Sequence, residues 1–157
     1  MKTYLYFYRG HGIPGWVVRH WTKSNFAHVS PVIVADNLQG VVYDAFWGQK
    51  LSKRLLTIED SAATRVELTH LDIPGKLLWL EAQLGKRYDK LAIFLDGIAK
   101  WFPSYLHVSD SLENALDCSR LSCDFADLEE EAESLSWPVT PGDLYRLVID
   151  PLPKTFK

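Results

Sequence analysis

Two runs of β-branched and apolar residues, Val29 to Ala35 and Val41 to Trp47, are separated only by Asp36-Asn37-Leu38-Gln39-Gly40. That pairing constrains the fold of this chain more than any other feature. A link so short joins neighbouring strands as an antiparallel hairpin, whereas a parallel pair needs a crossover of about a dozen residues or more. The chain is thereby committed to a sheet built from local pairings. Thr3 to Tyr8 alternates and is aromatic, which adds a strand, and Gln49 to Leu55 follows the break at Gly48 as another. Thr64 to Leu71, with Val66, Leu68 and His70 alternating against Arg65, Glu67 and Thr69, reads as a further strand.

Helical segments fill the remainder. Pro14 opens a short helix after the breaker-rich Arg9–Gly15 loop, with Trp16, Val17 and His20 or Trp21 on one side. Pro74 opens a second helix through about Leu84, whose apolar side is Leu77, Leu78, Leu80 and Ala82, and Leu84-Gly85-Lys86-Arg87-Tyr88-Asp89 is its C-cap and turn. Lys90 to Phe102 is very apolar and helical, and Pro103 to Asp117 is a polar loop suited to facing a substrate. Cys118 to about Ser134 reads as one helix, with Leu121, Phe125 and Leu128 inward and an acidic outer face. Pro141 to Val148 is the last short helix. The order predicts a single α+β domain over residues 1–157, a small antiparallel sheet with helices packed on it.

Cys118 stands where polar loop sequence turns into helix. The first turn of a helix presents the positive end of its dipole, which favours thiolate over thiol. His28, about 90 residues upstream in Ala27-His28-Val29-Ser30-Pro31-Val32-Ile33-Val34, is carried on a strand and can take the thiol proton. A nucleophile and base of this kind need a third group to orient the imidazole. Asp44 is the candidate, because an ionised carboxylate within Val41-Val42-Tyr43-Asp44-Ala45-Phe46-Trp47 is costly without a partner, and a hairpin over residues 36–40 sets it on the neighbouring strand close to opposite His28. The plainer reading makes Cys118 a buried small hydrophobe, His28 a satisfied core side chain and Asp44 a strand-edge residue bonded to a backbone amide. His11, His20, His70 and His107 have no thiol or carboxylate in a supporting pattern, and Cys123 lies beyond the reach of the helix dipole.

Other classes find less support. Net charge is −3 and the lysines and arginines are scattered, which argues against a nucleic-acid partner. The two cysteines, five residues apart on one helix, point in different directions around it, and no CxxC or HxxxH pattern suggests a metal. The N-terminal run is too short and too aromatic for a signal peptide, and no stretch approaches the roughly 20 apolar residues of a membrane span. A cytoplasmic protein is therefore expected. The run Leu91 to Leu95, continued by Ile98, Trp101 and Phe102, reads as a core helix, contact with a lipid surface being the secondary reading.

Several stretches together carry a family resemblance. Asn25-Phe26-Ala27-His28-Val29-Ser30-Pro31-Val32-Ile33 followed by Val42-Tyr43-Asp44-Ala45 resembles the permuted papain-like cysteine hydrolases, relatives of the NlpC-type peptidases and of lecithin:retinol acyltransferase. Leu84 to Asp89 is similar to an "LGxxYD" segment of that group, Leu116 to Leu121 to its "DCSGL" motif, and Thr140 to Tyr145 to the "SPxDLY" element of many phage and prophage members. The histidine precedes the cysteine, as in the permuted order. The resemblance implies a permuted papain-like fold with Cys118 as nucleophile, His28 as general base and Asp44 in the polar third position. It places Tyr88 and Ser119 at the cleft and oxyanion region. It implies an amide, peptide or acyl substrate, peptidoglycan stem peptides among them, and needs no metal or organic cofactor. A thioester acyl transferase is the neighbouring reading. A non-catalytic module of the same fold, such as a virion or host-interaction protein, is the reading from another class. Arg120 departs from the Gly or Glu usual two residues after the nucleophile, and Cys123 and the acidic stretch depart from the small-residue helix of the family.

Overall fold

The tyrosines and the aliphatic residues of the first strand separate onto opposite sides, and that separation organises the molecule. The computed structural model describes residues 1–36, 39–44, 49–87, 118–133, 135 and 139–150. Strands β1 (Lys2–Tyr8), β2 (His28–Val34), β3 (Gly40–Asp44), β4 (Ser52–Leu55) and β5 (Thr64–Leu68) form one open antiparallel sheet in the order β4-β3-β2-β1-β5. The expected hairpin is β2–β3, with Val32 against Val42 and Val34 against Gly40. β2 lies at the centre, and β1 beside it pairs Tyr8 with His28 of β2 on one side and Leu5 with Val66 of β5 on the other.

Side chains alternate across a strand. Leu5, Phe7, Val29, Ile33 and Tyr43 therefore share one face and pack in the main core with residues of the helices. Tyr6, Val32 and Val42 form a smaller cluster on the other face, bordered by Tyr4, Tyr8 and Val34.

Five α-helices are present among the described residues: α1 (Gly12–Thr22), α2 (Ile73–Gln83), α3 (Cys118–Phe125), α4 (Glu129–Glu133) and α5 (Pro141–Ile149). A 3-10 turn at Ile58–Ala62 links β4 to β5. No helix among the described residues is long and apolar enough to cross a membrane.

Three expectations change. The helix read as continuous from Cys118 to Ser134 stops at Phe125. Asp127 adopts a left-handed φ of 54°, and the Leu128 N–H returns to the Cys123 carbonyl, the bond pattern that closes a helix end. Lys76 of α2 reinforces the stop by donating to the Asp124 carbonyl at 2.6 Å and to the Asp127 carboxylate. In α2, Leu78 is 74% exposed and Ala82 faces solvent, while Leu80 is fully buried and Ile73, Leu77, Trp79 and Leu84 pack beside it. Positions 73, 77, 80 and 84 follow the helical repeat, which the consecutive Leu77-Leu78 obscured. On α1, Trp16 and Val17 are exposed rather than packed, and the Trp16 ring stacks on His20.

Strand limits also contract. β4 begins at Ser52 rather than Gln49, Lys50 instead forming an isolated bridge to Arg87. β5 ends at Leu68, so His70 lies beyond it. The segment expected to be helical at 90–102, the loop at 103–117, Asp89 and Tyr88 lie outside the described residues.

Candidate active site

His28 owes its position to what precedes it. Ser24 folds its hydroxyl onto the Phe26 amide and carbonyl at 3.0 and 2.7 Å, making a local turn before the strand. Phe26 then wedges between Phe7 and Tyr145, with ring centroids 5.4 and 4.9 Å away. α5 approaches this turn so closely that a Cβ on Gly142 would sit 2.8 Å from the Ser24 hydroxyl. A Thr140–Asp143 capping box fixes the start of α5, each residue bonding the other's backbone amide. The Ala27 amide donates to the Tyr8 carbonyl at 2.8 Å, so the backbone is clamped on the residue immediately before His28.

His28, Ser30 and Asp44 are brought together. His28 Nε2 lies 2.5 Å from Asp44 Oδ1, and the Ser30 hydroxyl is 3.0 Å from the same nitrogen and 3.2 Å from the same oxygen. The sequence suggested that Asp44 stands nearly opposite His28. Continuing the β2–β3 register instead sets it against Ser30, diagonal to the histidine on the same face. Ser30 is thus a site residue that the sequence reading did not single out. Its signal was the i, i+2 spacing from His28 on a strand. Asp44 is 2% exposed at its side chain and His28 is 13% exposed.

Cys118 is the first residue of α3, and its side chain acts on the His28 ring both by charge and by hydrogen bond. Alternation alone assigns His28 to the tyrosine face, whereas Cys118 belongs to the cluster on the helix face. The influence of Cys118 on the ring crosses that division: His28 is the first residue of β2 and Cys118 the first of α3, which packs on β2. Burial opposes charge on the ring, but Cys118 and Asp44 together outweigh it and raise the imidazole to about 10. Burial likewise pushes Asp44 up, yet His28, Arg54 and Ser30 hold it below the usual carboxylate range.

Beyond Asp44 the polar chain continues. Arg54 on β4 reaches Asp44 Oδ2 at 3.4 Å and forks onto Asp60 with two bonds of 2.8 Å. Asp60 also accepts the Tyr8 hydroxyl at 2.9 Å and the Thr57 amide at 2.7 Å. The Tyr8 ring lies 5.9 Å from the His28 ring, so the network returns to the imidazole.

Ser119 and Cys123 are buried, and both cysteines are free thiols. Tyr88, the other expected cleft residue, falls outside the described residues. Among the described residues no group of three or more His, Cys, Asp or Glu could hold a metal ion. Comparison with protein-family models, with curated proteins and with solved structures returns no match.

Proposed function

We propose that this chain is a thiol-dependent hydrolase of the permuted papain-like type, cleaving an amide, peptide or acyl bond with Cys118, His28 and Asp44. The observation that carries the reading is a half-buried imidazole bonded to the Asp44 carboxylate and raised in basicity by Asp44 together with a cysteine that starts a helix. A structural cysteine has no need of a charged imidazole beside it, and burying such a charge is costly without a purpose.

In the proposed reaction the Cys118 thiolate attacks the substrate carbonyl carbon, and the C=O electron pair moves onto oxygen. The free amides of the first turn of α3 stabilise that oxyanion. The tetrahedral adduct collapses by breaking the bond to the leaving group, which takes its proton from the His28 imidazolium. The resulting thioester is attacked by water as His28 accepts the water's proton. A second collapse releases the acid and restores the thiolate. Asp44 keeps the imidazole in one tautomer and orientation throughout. An acyl transferase would differ only in replacing water by another acceptor. Ser119 adjoins the oxyanion position in this scheme, and Tyr88 lines the cleft. Peptidoglycan stem peptides are one substrate class that the scheme accommodates.

Labelling tests the reading. Iodoacetamide at neutral pH is expected to modify Cys118 stoichiometrically and in preference to Cys123. Cys118→Ala should lose both labelling and hydrolysis of an activated thioester while Cys123→Ser keeps them. Labelling of neither cysteine in the folded protein, or of Cys123 alone, would overturn it and leave a binding module of the same fold.

A further inference from the structure

Asp60 is more heavily satisfied than a strand-connecting turn requires. Its two oxygens receive both Arg54 nitrogens, the Tyr8 hydroxyl, and the amide and hydroxyl of Thr57, while the side chain is 4% exposed. Thr57 and Asp60 also make the reciprocal cap of the 3-10 turn. The carboxylate is therefore fixed by backbone as well as by side chains, and it fixes Arg54 in turn. A guanidinium presents its donors in a rigid fork, so a fork seated on Asp60 leaves Nη2 directed at Asp44.

Charges alternate along this line: imidazolium, Asp44, Arg54, Asp60. Were Arg54 free of Asp60, its whole charge would compete with His28 for Asp44. Without Arg54, the described partners left to the Asp44 carboxylate would be His28 and Ser30.

We propose that Arg54 and Asp60 are positioning residues that hold the Asp44 carboxylate against His28 and divide its charge between the imidazole and the guanidinium. The inference rests on the reading of His28 as the base. It goes beyond that reading by assigning the tuning of the base to β4 and the 3-10 turn, elements outside the triad. Asp60 is held far below the usual carboxylate range chiefly by Arg54, and Tyr8 is pushed upward by burial and then by Asp60. The line thus keeps its charges, and Tyr8 remains a neutral donor, through the range in which His28 titrates. Among the described residues, the groups that act on the imidazole include Asp44 from β3, Ser30 from its own strand, Tyr8 from β1 and Cys118 from α3, with Arg54 and Asp60 one step behind.

The test is the titration of His28 in the full-length protein, followed by NMR of labelled histidine with the signal assigned through His28→Gln. Asp60→Asn removes the negative end of the line and frees Arg54 to draw on Asp44. It is expected to lower the His28 midpoint by about half a pH unit, roughly threefold in the protonation constant. Arg54→Gln is expected to move it the other way by a similar amount. Thr57→Ala loosens the same turn without changing charge and should leave the midpoint in place while lowering the melting temperature. Opposite shifts in the two charge variants, with Thr57→Ala unmoved, establish the role. Midpoints within about 0.2 of the parent in both folded charge variants overturn it, as does a Thr57→Ala shift equal to that of Asp60→Asn. Should Asp60→Asn fail to fold, the sign of the Arg54→Gln shift alone decides. The parent protein's Cys118 labelling reports separately on the catalytic reading, so a silent line and an inert thiol are distinguishable.

Discussion

The two faces of the sheet solve different problems with the same five strands. The helix face is closed by volume: Leu5, Phe7, Val29 and Ile33 meet Leu80, Phe125 and Leu144 in a continuous apolar cluster. The tyrosine face has only a small apolar centre around Tyr6, Val32 and Val42, and beside it runs the line from His28 to Asp60. On the first face a substitution is felt through lost contacts and empty space. On the second it is felt through an unpaired charge and a misplaced carboxylate. Apolar packing dominates one face and charge pairing the other, with Cys118 belonging to the packed one.

The largest effect should break that separation on the chemical side. Asp44→Asn is expected to cut turnover of an activated thioester by about two to four orders of magnitude, since an amide favours the wrong tautomer and cannot offset imidazolium charge. Circular dichroism of the variant should stay native. An unfolded variant would mean that Asp44 serves the fold first. Leu80→Ala, on the helix face, is expected to cost about 2–5 kcal/mol in urea unfolding while the remaining folded protein labels at the parent rate. A labelling rate that falls with stability would show that the two faces are coupled. The smallest effect concerns acid. Asp60 and Asp44 are both held below the usual carboxylate value, so the stability they contribute is present above about pH 4 and is lost as pH falls toward their folded values. Asp60→Asn should flatten the fall in unfolding free energy below that pH. An unchanged slope would place the acid sensitivity elsewhere.

How much of this could be read in the residues differs between the same two faces. The hairpin, the alternating first strand and the last helix opening at Pro141 were legible because short-range pattern dictates them. The helix limits near Asp127 were not, because a non-glycine residue in a left-handed conformation gives little local warning and here gains support from Lys76, far away in the chain. Leu78 misled for a related reason: adjacent leucines point about 100° apart around a helix, and tertiary packing decides which of them is covered. Within the site, Cys118, His28 and Asp44 could be picked out from their surroundings, whereas Arg54 and Asp60 could not. Nothing in Lys53-Arg54 or Glu59-Asp60 distinguishes the second residue of each pair from its solvent-exposed neighbour until the β3–β4 register sets Arg54 against Val42. The influence of Cys118 on His28 is likewise invisible to alternation, which assigns them to opposite sides.

The order of these residues along the chain has a consequence for the protein's making. His28, Asp44, Arg54 and Asp60 lie within one contiguous stretch, with β2, β3 and β4 joined by neighbouring connections. Cys118 arrives on a separate helix about 60 residues later. Contacts between near neighbours close early and at small entropic cost, and chains emerge from the ribosome N-terminus first. A nascent chain can thus assemble the whole charged half of the site while the thiol has yet to be synthesised. Once made, that thiol meets the imidazolium only when α3 docks on β2. On the proposed catalytic reading, the sulfur would then acquire its activating neighbour as one of the last events of maturation, and the half-built chain would be shielded from a reactive thiol.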